Sequence, residues 1–143
     1  MNYLHQQAEV LSILTQTPPE EVKTFTETLL PELGRIDVQQ NRTGLVMLPY
    51  QDTAQGATFH LGETLVAEAL VTLEHHQTQG YAACLGRDLE QALAVAILDA
   101  CLSANVFSQQ IEVFVSEQRS KQQDAQTLLM RQVEATRVEM ETF

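Results

Sequence analysis

The chain has 143 residues, of which 44% are hydrophobic, and this length and composition suit one globular domain with its own core. Eight Lys and Arg residues stand against 19 Asp and Glu, giving a formal net charge of −11. This charge argues against nucleic-acid binding and against attachment to anionic membranes, because both need clustered basic side chains.

The two cysteines, Cys84 and Cys101, form neither a CxxC motif nor a disulfide framework, which suits a reducing compartment. The first residues lack the basic and apolar segments of a secretion signal. The most apolar stretch, residues 92–102, contains Asp99 and is far shorter than the ~20 residues of a membrane-spanning helix. We therefore expect a soluble, cytoplasmic protein with no membrane partner.

The first third of the chain predicts a pair of helices. Leu4, Ala8, Leu11 and Leu14 recur at helical spacing, so residues 2–16 should form a helix with one apolar face.

A second helix should begin at the segment Thr17-Pro18-Pro19-Glu20-Glu21. Thr17 is placed to cap it, proline is tolerated in a first turn, and the glutamates would lie at the positive end of the helix dipole. We expect Pro31 and Gly34 to end this helix. Its predicted buried face consists of Val22, Phe25 and Leu29.

The middle of the chain predicts an antiparallel sheet of about four to five strands. Residues 44–48 form a short apolar run after a predicted turn, residues 64–74 alternate between apolar and polar, and residues 80–85 follow a polar loop. Gly62 should mark a bend or bulge before the alternating strand. The segment from Asp52 to Gly56 is predicted to be a loop between strands.

Helical periodicity returns after Gly86. Residues 88–104 are apolar nearly all round, which predicts a buried helix. The pattern leaves residues 106–118 open between helix and strand. Residues 117–143 favour a polar helical arm, so the chain is predicted to be one α+β domain, residues 1–143, with this C-terminal arm.

The Gly86-Arg87-Asp88 segment, between a strand and the buried helix, has two interpretations. Free N–H groups at the helix start, with Arg87 beside them, would suit an anion. Alternatively, Asp88 caps the helix, Gln91 completes a capping box, and Gly86 permits the turn. The capping interpretation is favoured, because Asp88 would compete with an anion.

Asp99 is the odd residue in the apolar helix, because it lies between apolar residues, and a buried carboxylate needs a cation or several donors. We expect a structural salt bridge with one of three arginines. Exposure at a subunit interface and a role in proton transfer remain alternatives. The candidate partners are Arg35, Arg42 and Arg87.

Metal and cofactor chemistry has little support in the sequence. His75 and His76 are adjacent and would point apart on an extended loop, and no further ligands with matching spacing are seen. His60 is expected to be a packed or surface residue. The chain has no P-loop and no GxGxxG motif, so we expect neither metal nor cofactor.

The arm has little apolar surface of its own, a narrow stripe made of Leu128, Leu129, Met130 and Val133. Composition leaves two interpretations open, a solvated tail and a segment that docks on another protein.

An ordered set of segments resembles the phosphonate-metabolism family PhnG and covers about half of the chain. The first 34 residues match only in being helical. The segments are Thr43-Gly44-Leu45-Val46, Phe59-His60-Leu61-Gly62-Glu63, Leu65-Val66-Ala67-Glu68, Gly80-Tyr81, Gly86-Arg87-Asp88, Ala92, Ala96-Ile97-Leu98-Asp99-Ala100, Arg131-Gln132-Val133-Glu134 and Ala135-Thr136-Arg137-Val138-Glu139.

The resemblance implies a subunit of the carbon–phosphorus lyase core complex, assembled with PhnH, PhnI and PhnJ. With PhnH, PhnI and the ATPase-like PhnL, the family supports transfer of ribose triphosphate from ATP to an alkylphosphonate such as methylphosphonate, with release of adenine. The family assigns no clear catalytic side chain to PhnG, and the nucleoside chemistry is usually placed on PhnI.

On this basis we expect the arm, with its end at Arg137, Val138 and Glu139, to dock on the catalytic partner. The family's tail commonly continues with an aromatic pair, whereas Met140 and Glu141 follow here and Phe143 is last. The competing interpretations are a free-standing anion-binding domain or small enzyme centred on Arg87 and Asp99, and an adaptor of an unrelated assembly.

Overall fold

The computed structural model describes residues 3–51, 54 and 56–141. Seven elements follow one another along this part of the chain. They are α1 (Tyr3–Gln16), α2 (Pro19–Leu33), β1 (Ile36–Gln51), β2 (Thr58–Leu73), β3 (Thr78–Leu85), α3 (Leu89–Ser103) and α4 (Ser108–Glu141). The α+β class, the N-terminal helical pair and the buried helix are confirmed.

The sheet of the described residues has three antiparallel strands in the order β1-β2-β3, so the prediction of four to five strands is wrong. The predicted short strands are parts of two strands of 16 residues each. The pairing register shifts between Leu48 and Pro49, opposite Gly62, so the chain bulges there and the strand continues. The predicted loop at 52–56 falls largely outside the described residues.

Helix α3 forms the centre of the core. It packs on the inner face of β2 and β3 and, on its other side, on α1 and α2. Alternate small and branched side chains of the sheet are buried against it, as the alternating pattern predicts. These side chains are Ala67, Ala69, Val71, Leu73, Ala82 and Cys84.

Gly80 allows α3 to lie directly on β3. A Cβ atom at this position would lie 2.1 Å from the carbonyl oxygen of Ala96 and 2.5 Å from the amide nitrogen of Ala100. Only a residue without a side chain fits between strand and helix at this point. This close approach brings the neighbouring Asp99 to the backbone of β3.

The ends of α2 agree with the prediction at Gly34 and differ from it at Thr17 and Pro31. Thr17 does not cap this helix, because its buried hydroxyl donates to the carbonyl oxygen of Ile13, 2.8 Å away, at the end of α1. Pro31 does not end the helix either. It lies exposed in the last turn, and α2 continues to Leu33 and ends at Gly34, whose φ is +75°.

Residues 108–141 form one continuous helix, which settles the open assignment of residues 106–118 for most of that range. The first turns belong to the core, since Ile111, Val115 and Gln118 are buried. Phe114 stacks on Phe25 of α2 with the ring centroids 4.3 Å apart. The part that leaves the core therefore begins later than the predicted residue 117. No helix of the described residues is long and apolar enough to cross a membrane.

Candidate protein-interaction site

Asp88 is held at the start of α3 by two contacts. Its Oδ1 accepts a hydrogen bond from the Gln91 amide, 3.0 Å away, and its Oδ2 lies 2.8 Å from the Lys23 ammonium of α2. The hydrogen bond from Lys23 holds the pKa of Asp88 below its usual range. Gly86, with φ +104°, permits the turn. The side chain of Gln91 donates to the Thr15 carbonyl oxygen, 3.2 Å away, so the predicted capping box does not form.

Carboxylates surround the Lys23 ammonium, which is paired with Asp88 of this turn. The Lys23 ammonium lies 3.7 Å from Glu90 and 3.9 Å from Glu20, in addition to Asp88. Arg87 is exposed and forms no ion pair within the described part of the chain. An anion approaching the helix start would therefore meet three carboxylates. The sequence did not indicate Lys23, because it lies 65 positions before Asp88 in another helix.

Asp99 is 3% exposed and accepts hydrogen bonds from three donors on two elements, α1 and β3. Its Oδ1 accepts from the Tyr3 hydroxyl and from the Gln7 amide group, the latter 3.0 Å away, and its Oδ2 accepts from the Tyr81 backbone N–H at 3.0 Å. Burial and the bond to Asp99 raise the pKa of Tyr3 well above its usual value. The carboxylate thus joins α1 and β3 to α3.

The arginines predicted as partners of this carboxylate lie elsewhere. Arg35 pairs with Glu74 at 3.3 Å, and Arg42 pairs with Glu68 at 2.5 Å on the outer face of the sheet. Arg87 lies at the exposed turn described above. The prediction of a salt bridge is therefore wrong, and neutral donors satisfy the carboxylate instead.

The remaining nucleophiles and possible metal ligands are dispersed or buried. Burial raises the pKa of the Cys84 thiol to about 11 and that of Cys101 to about 12, so both remain protonated at neutral pH. No cluster of three His, Cys, Asp or Glu among the described residues could hold a metal ion. The ring of His75 lies against Gly34, and the side chain of His60 is outside the described residues.

The far end of α4 leaves the core. Gln122 still contacts α1, because its side-chain amide donates to the Ile13 carbonyl oxygen at 3.0 Å. Residues 123–137 are exposed, and the helix continues to residue 141, so this free arm (residues 123–141) extends about 28 Å at 1.5 Å per residue.

Helical geometry divides the predicted apolar stripe of the free arm. With about 100° between successive residues, Leu129, Met130 and Val133 share one side, and Leu128 lies on another. Leu128 and Leu129 are equally exposed, at 58% each. Arg137 follows Val133 by one turn on the same side. The side chains of Val138 and Glu139, predicted to end the contact, are outside the described residues.

A second apolar surface lies on the long hairpin. β3 pairs only with residues 66–73 of β2, whereas β1 and β2 pair as far as Gln51 and Thr58. Residues 45–51 and 58–65 therefore form a two-stranded ribbon beyond the third strand. Leu45 on this ribbon is 64% exposed, and Leu85 at its base is 76% exposed. Because an isolated two-stranded hairpin is only marginally stable in water, such a ribbon favours a contact with another chain.

Comparison with known proteins gives one family. The family model described as phosphonate metabolism protein PhnG matches residues 5–143, nearly the whole chain. No curated protein matches the sequence significantly.

Proposed function

This chain belongs to the PhnG family of phosphonate metabolism proteins, and on that premise we propose that it is a supporting subunit of a cytoplasmic carbon–phosphorus lyase core complex. Its partners in this proposal are PhnH, PhnI and PhnJ, with PhnI as the direct contact. With PhnH, PhnI and PhnL, the chain supports transfer of ribose 5-triphosphate from ATP to methylphosphonate. The chain contributes contacts to this reaction, and its partner contributes the catalytic groups.

The free arm is the observation that carries this proposal. Leu129, Met130 and Val133 present one apolar side on a helix that has already left its own core. These apolar side chains lie on one side of the helix, yet they do not stabilise the domain, because they are not packed against its core. Packing in the groove of another protein would bury them, in the manner of helix-in-groove recognition.

The charge distribution supports a partner that binds the substrates. ATP and alkylphosphonates are anionic, and this chain has a net charge of −11. Its Lys23 is already neutralised by Asp88, Glu90 and Glu20. Cationic groups for the substrates should therefore come from another subunit, and an acidic chain is a natural neighbour for a basic subunit.

The experiment that tests the proposal removes residues 123–143, which include the whole free arm. The truncated chain should keep its folded domain, since the deleted residues lie beyond Gln122, and should fail to assemble with PhnH, PhnI and PhnJ. Circular dichroism checks the fold, and co-purification checks assembly. Full assembly by the truncated chain would contradict docking through the arm.

Two point variants sharpen this test because they differ only in the side of the helix. Leu129→Asp places a charge on the apolar side, and Leu128→Asp places the same charge one residue away at equal exposure. A charge in a buried contact costs about 2 kcal/mol or more, so Leu129→Asp should weaken assembly about 30-fold or more. Leu128→Asp should have little effect, and equal effects of the two variants would rule out the proposed side.

A titration separates this proposal from a free-standing anion-binding domain. The isolated chain should show no tight binding of ATP or methylphosphonate by calorimetry. Tight, salt-sensitive binding that is lost in Arg87→Ala would place the function on this chain's own turn and contradict a supporting role.

A further inference from the structure

The two edge strands of the sheet, β3 and β1, differ in whether their outward backbone groups are hydrogen-bonded. On β3, the Tyr81 N–H points away from β2 and donates to Asp99 Oδ2 at 3.0 Å. A buried carboxylate of α3 thus occupies the middle of this edge. Another chain could not pair here without displacing it, so the fold protects β3 from strand addition.

The edge of β1 is open over its central part. The Gly86 N–H donates to the Leu65 carbonyl oxygen, so the backbone of Leu65 faces β3 and that of its neighbour Val66 faces β1. Val66 pairs with Gly44, and hydrogen-bonding directions alternate along a strand. The amide and carbonyl groups of Thr43, Leu45 and Met47 therefore point to the outer edge of β1.

Nothing in the described part of the chain pairs with these groups. β1 also has few of the features, such as short length or many charged residues, that prevent an edge strand from pairing with another chain. It is 16 residues long, and its two charged residues before the tip are Asp37 and Arg42. Arg42 is held across the sheet by Glu68. Pro49 lacks an N–H, so the open stretch is residues 41–47, about 23 Å at 3.3 Å per residue.

The charges on the hairpin decide what kind of strand would fit. Asp37 on β1 and Glu63 on the ribbon form no ion pair among the described residues. A second copy would bring another net charge of −11 to this acidic surface. Net charge of this size opposes self-association, whereas a strand that carries Lys or Arg near its ends would be attracted to Asp37 and Glu63.

We propose that the edge of β1 at residues 41–47 accepts an extended strand from a basic partner subunit, by β-strand addition. The strand carries alternating apolar residues to pack beside Leu45 and Met47, and a basic residue near Asp37. This second contact, on a different element from the free arm, rests on the proposed function, because the partner is a subunit of the same assembly.

The test uses proline substitutions on the two edges. Thr43→Pro removes an outward N–H from β1 while leaving the β1–β2 hydrogen bonds in place, and Thr43→Val keeps that N–H as a control. Ala83→Pro makes the matched change on β3, where residue 83 has the same outward orientation as Tyr81. Each variant is co-expressed with PhnH, PhnI and PhnJ to measure assembly, and amide hydrogen exchange at residues 43, 45 and 47 is measured on the wild-type chain, alone and in the assembly.

In the wild-type assembly, these three amides should exchange at least about tenfold more slowly than in the isolated chain, since each donates to the added strand. Thr43→Pro should weaken assembly about tenfold or more, and Thr43→Val and Ala83→Pro should not. An intact assembly whose three amides still exchange rapidly would overturn the strand addition alone. Absence of any assembly would overturn the proposed function and this inference together. If these amides were protected from exchange in the isolated chain, and more so at higher protein concentration, the added strand would come from a second copy and the basic partner would be ruled out.

Discussion

Replacing Asp99 should destabilise the domain through the three donors that it serves. In Asp99→Ala, the Tyr3 hydroxyl, the Gln7 amide group and the Tyr81 N–H all lose their acceptor. A hydrogen bond to a charged group contributes about 1.5–3 kcal/mol, and partly buried donors recover some of this by reaching water. We therefore expect the free energy of unfolding to fall by about 3–5 kcal/mol, a large share of a typical 5–15 kcal/mol.

Asp99→Asn distinguishes the acceptor geometry from simple loss of volume. An amide has only one acceptor oxygen, so its NH₂ group must face either Tyr81 or the pair formed by Tyr3 and Gln7. This variant should lose about 1–3 kcal/mol, and Tyr3→Phe, which removes one donor, about 1.5 kcal/mol.

Urea unfolding followed by circular dichroism at neutral pH measures all these variants. The effects of Asp99→Asn and Tyr3→Phe should not add in the double variant, because the two residues share one hydrogen bond. A loss below about 1 kcal/mol for Asp99→Ala would refute the reasoning, since three donors cannot lose a buried acceptor at so small a cost.

Three further predictions concern stability. Gly80→Ala should lower the free energy of unfolding, measured by urea titration, by about 1–3 kcal/mol, because the added Cβ would overlap the backbone of α3. Gly44→Ala is the control: a Cβ there would have no atom within 4 Å, so the change should be neutral or slightly stabilising. Stability should fall as pH rises from about 9 toward 12, because burial raises the pKa of the Cys101 thiol and the unfolded chain therefore loses this proton at a lower pH than the folded chain. Cys101→Ala should show a shallower decline when unfolding is measured across this pH range. Asp88→Ala should cost about 1 kcal/mol at neutral pH through loss of the cap, and it should remove part of the decline below about pH 4, because the lowered pKa of Asp88 stabilises the fold only while it is ionised.

The parts of the fold that the sequence predicted are those with a strong local pattern. Residues 89–103 are apolar nearly all round and form the central helix, and the alternation in residues 64–74 corresponds to the inner face of β2. The first half of β1 escaped prediction because residues 39–43 are polar and resemble a turn. They form a strand because β2 supplies their hydrogen bonds, and no local pattern reports such a partner.

The contacts of the charged residues depended on distant parts of the chain. The sequence identified Asp99 as a buried carboxylate, and its donors come from α1 and β3, up to 96 positions away. Composition favoured arginine partners because a charge attracts a charge, yet neutral donors from several elements satisfy a carboxylate as well. The free arm was predicted from its polarity, and only the position of the core shows that it begins near residue 123 rather than 117.

The most direct measurement for the proposed role is co-expression of this chain with PhnH, PhnI and PhnJ from the same source. The chain alone carries the affinity tag, and the purified material is run on a size-exclusion column across a range of salt concentrations. Co-elution of the four proteins as one large species is the predicted result. Recovery of this chain alone, folded and stable at every salt concentration, would contradict its role as a subunit of the assembly.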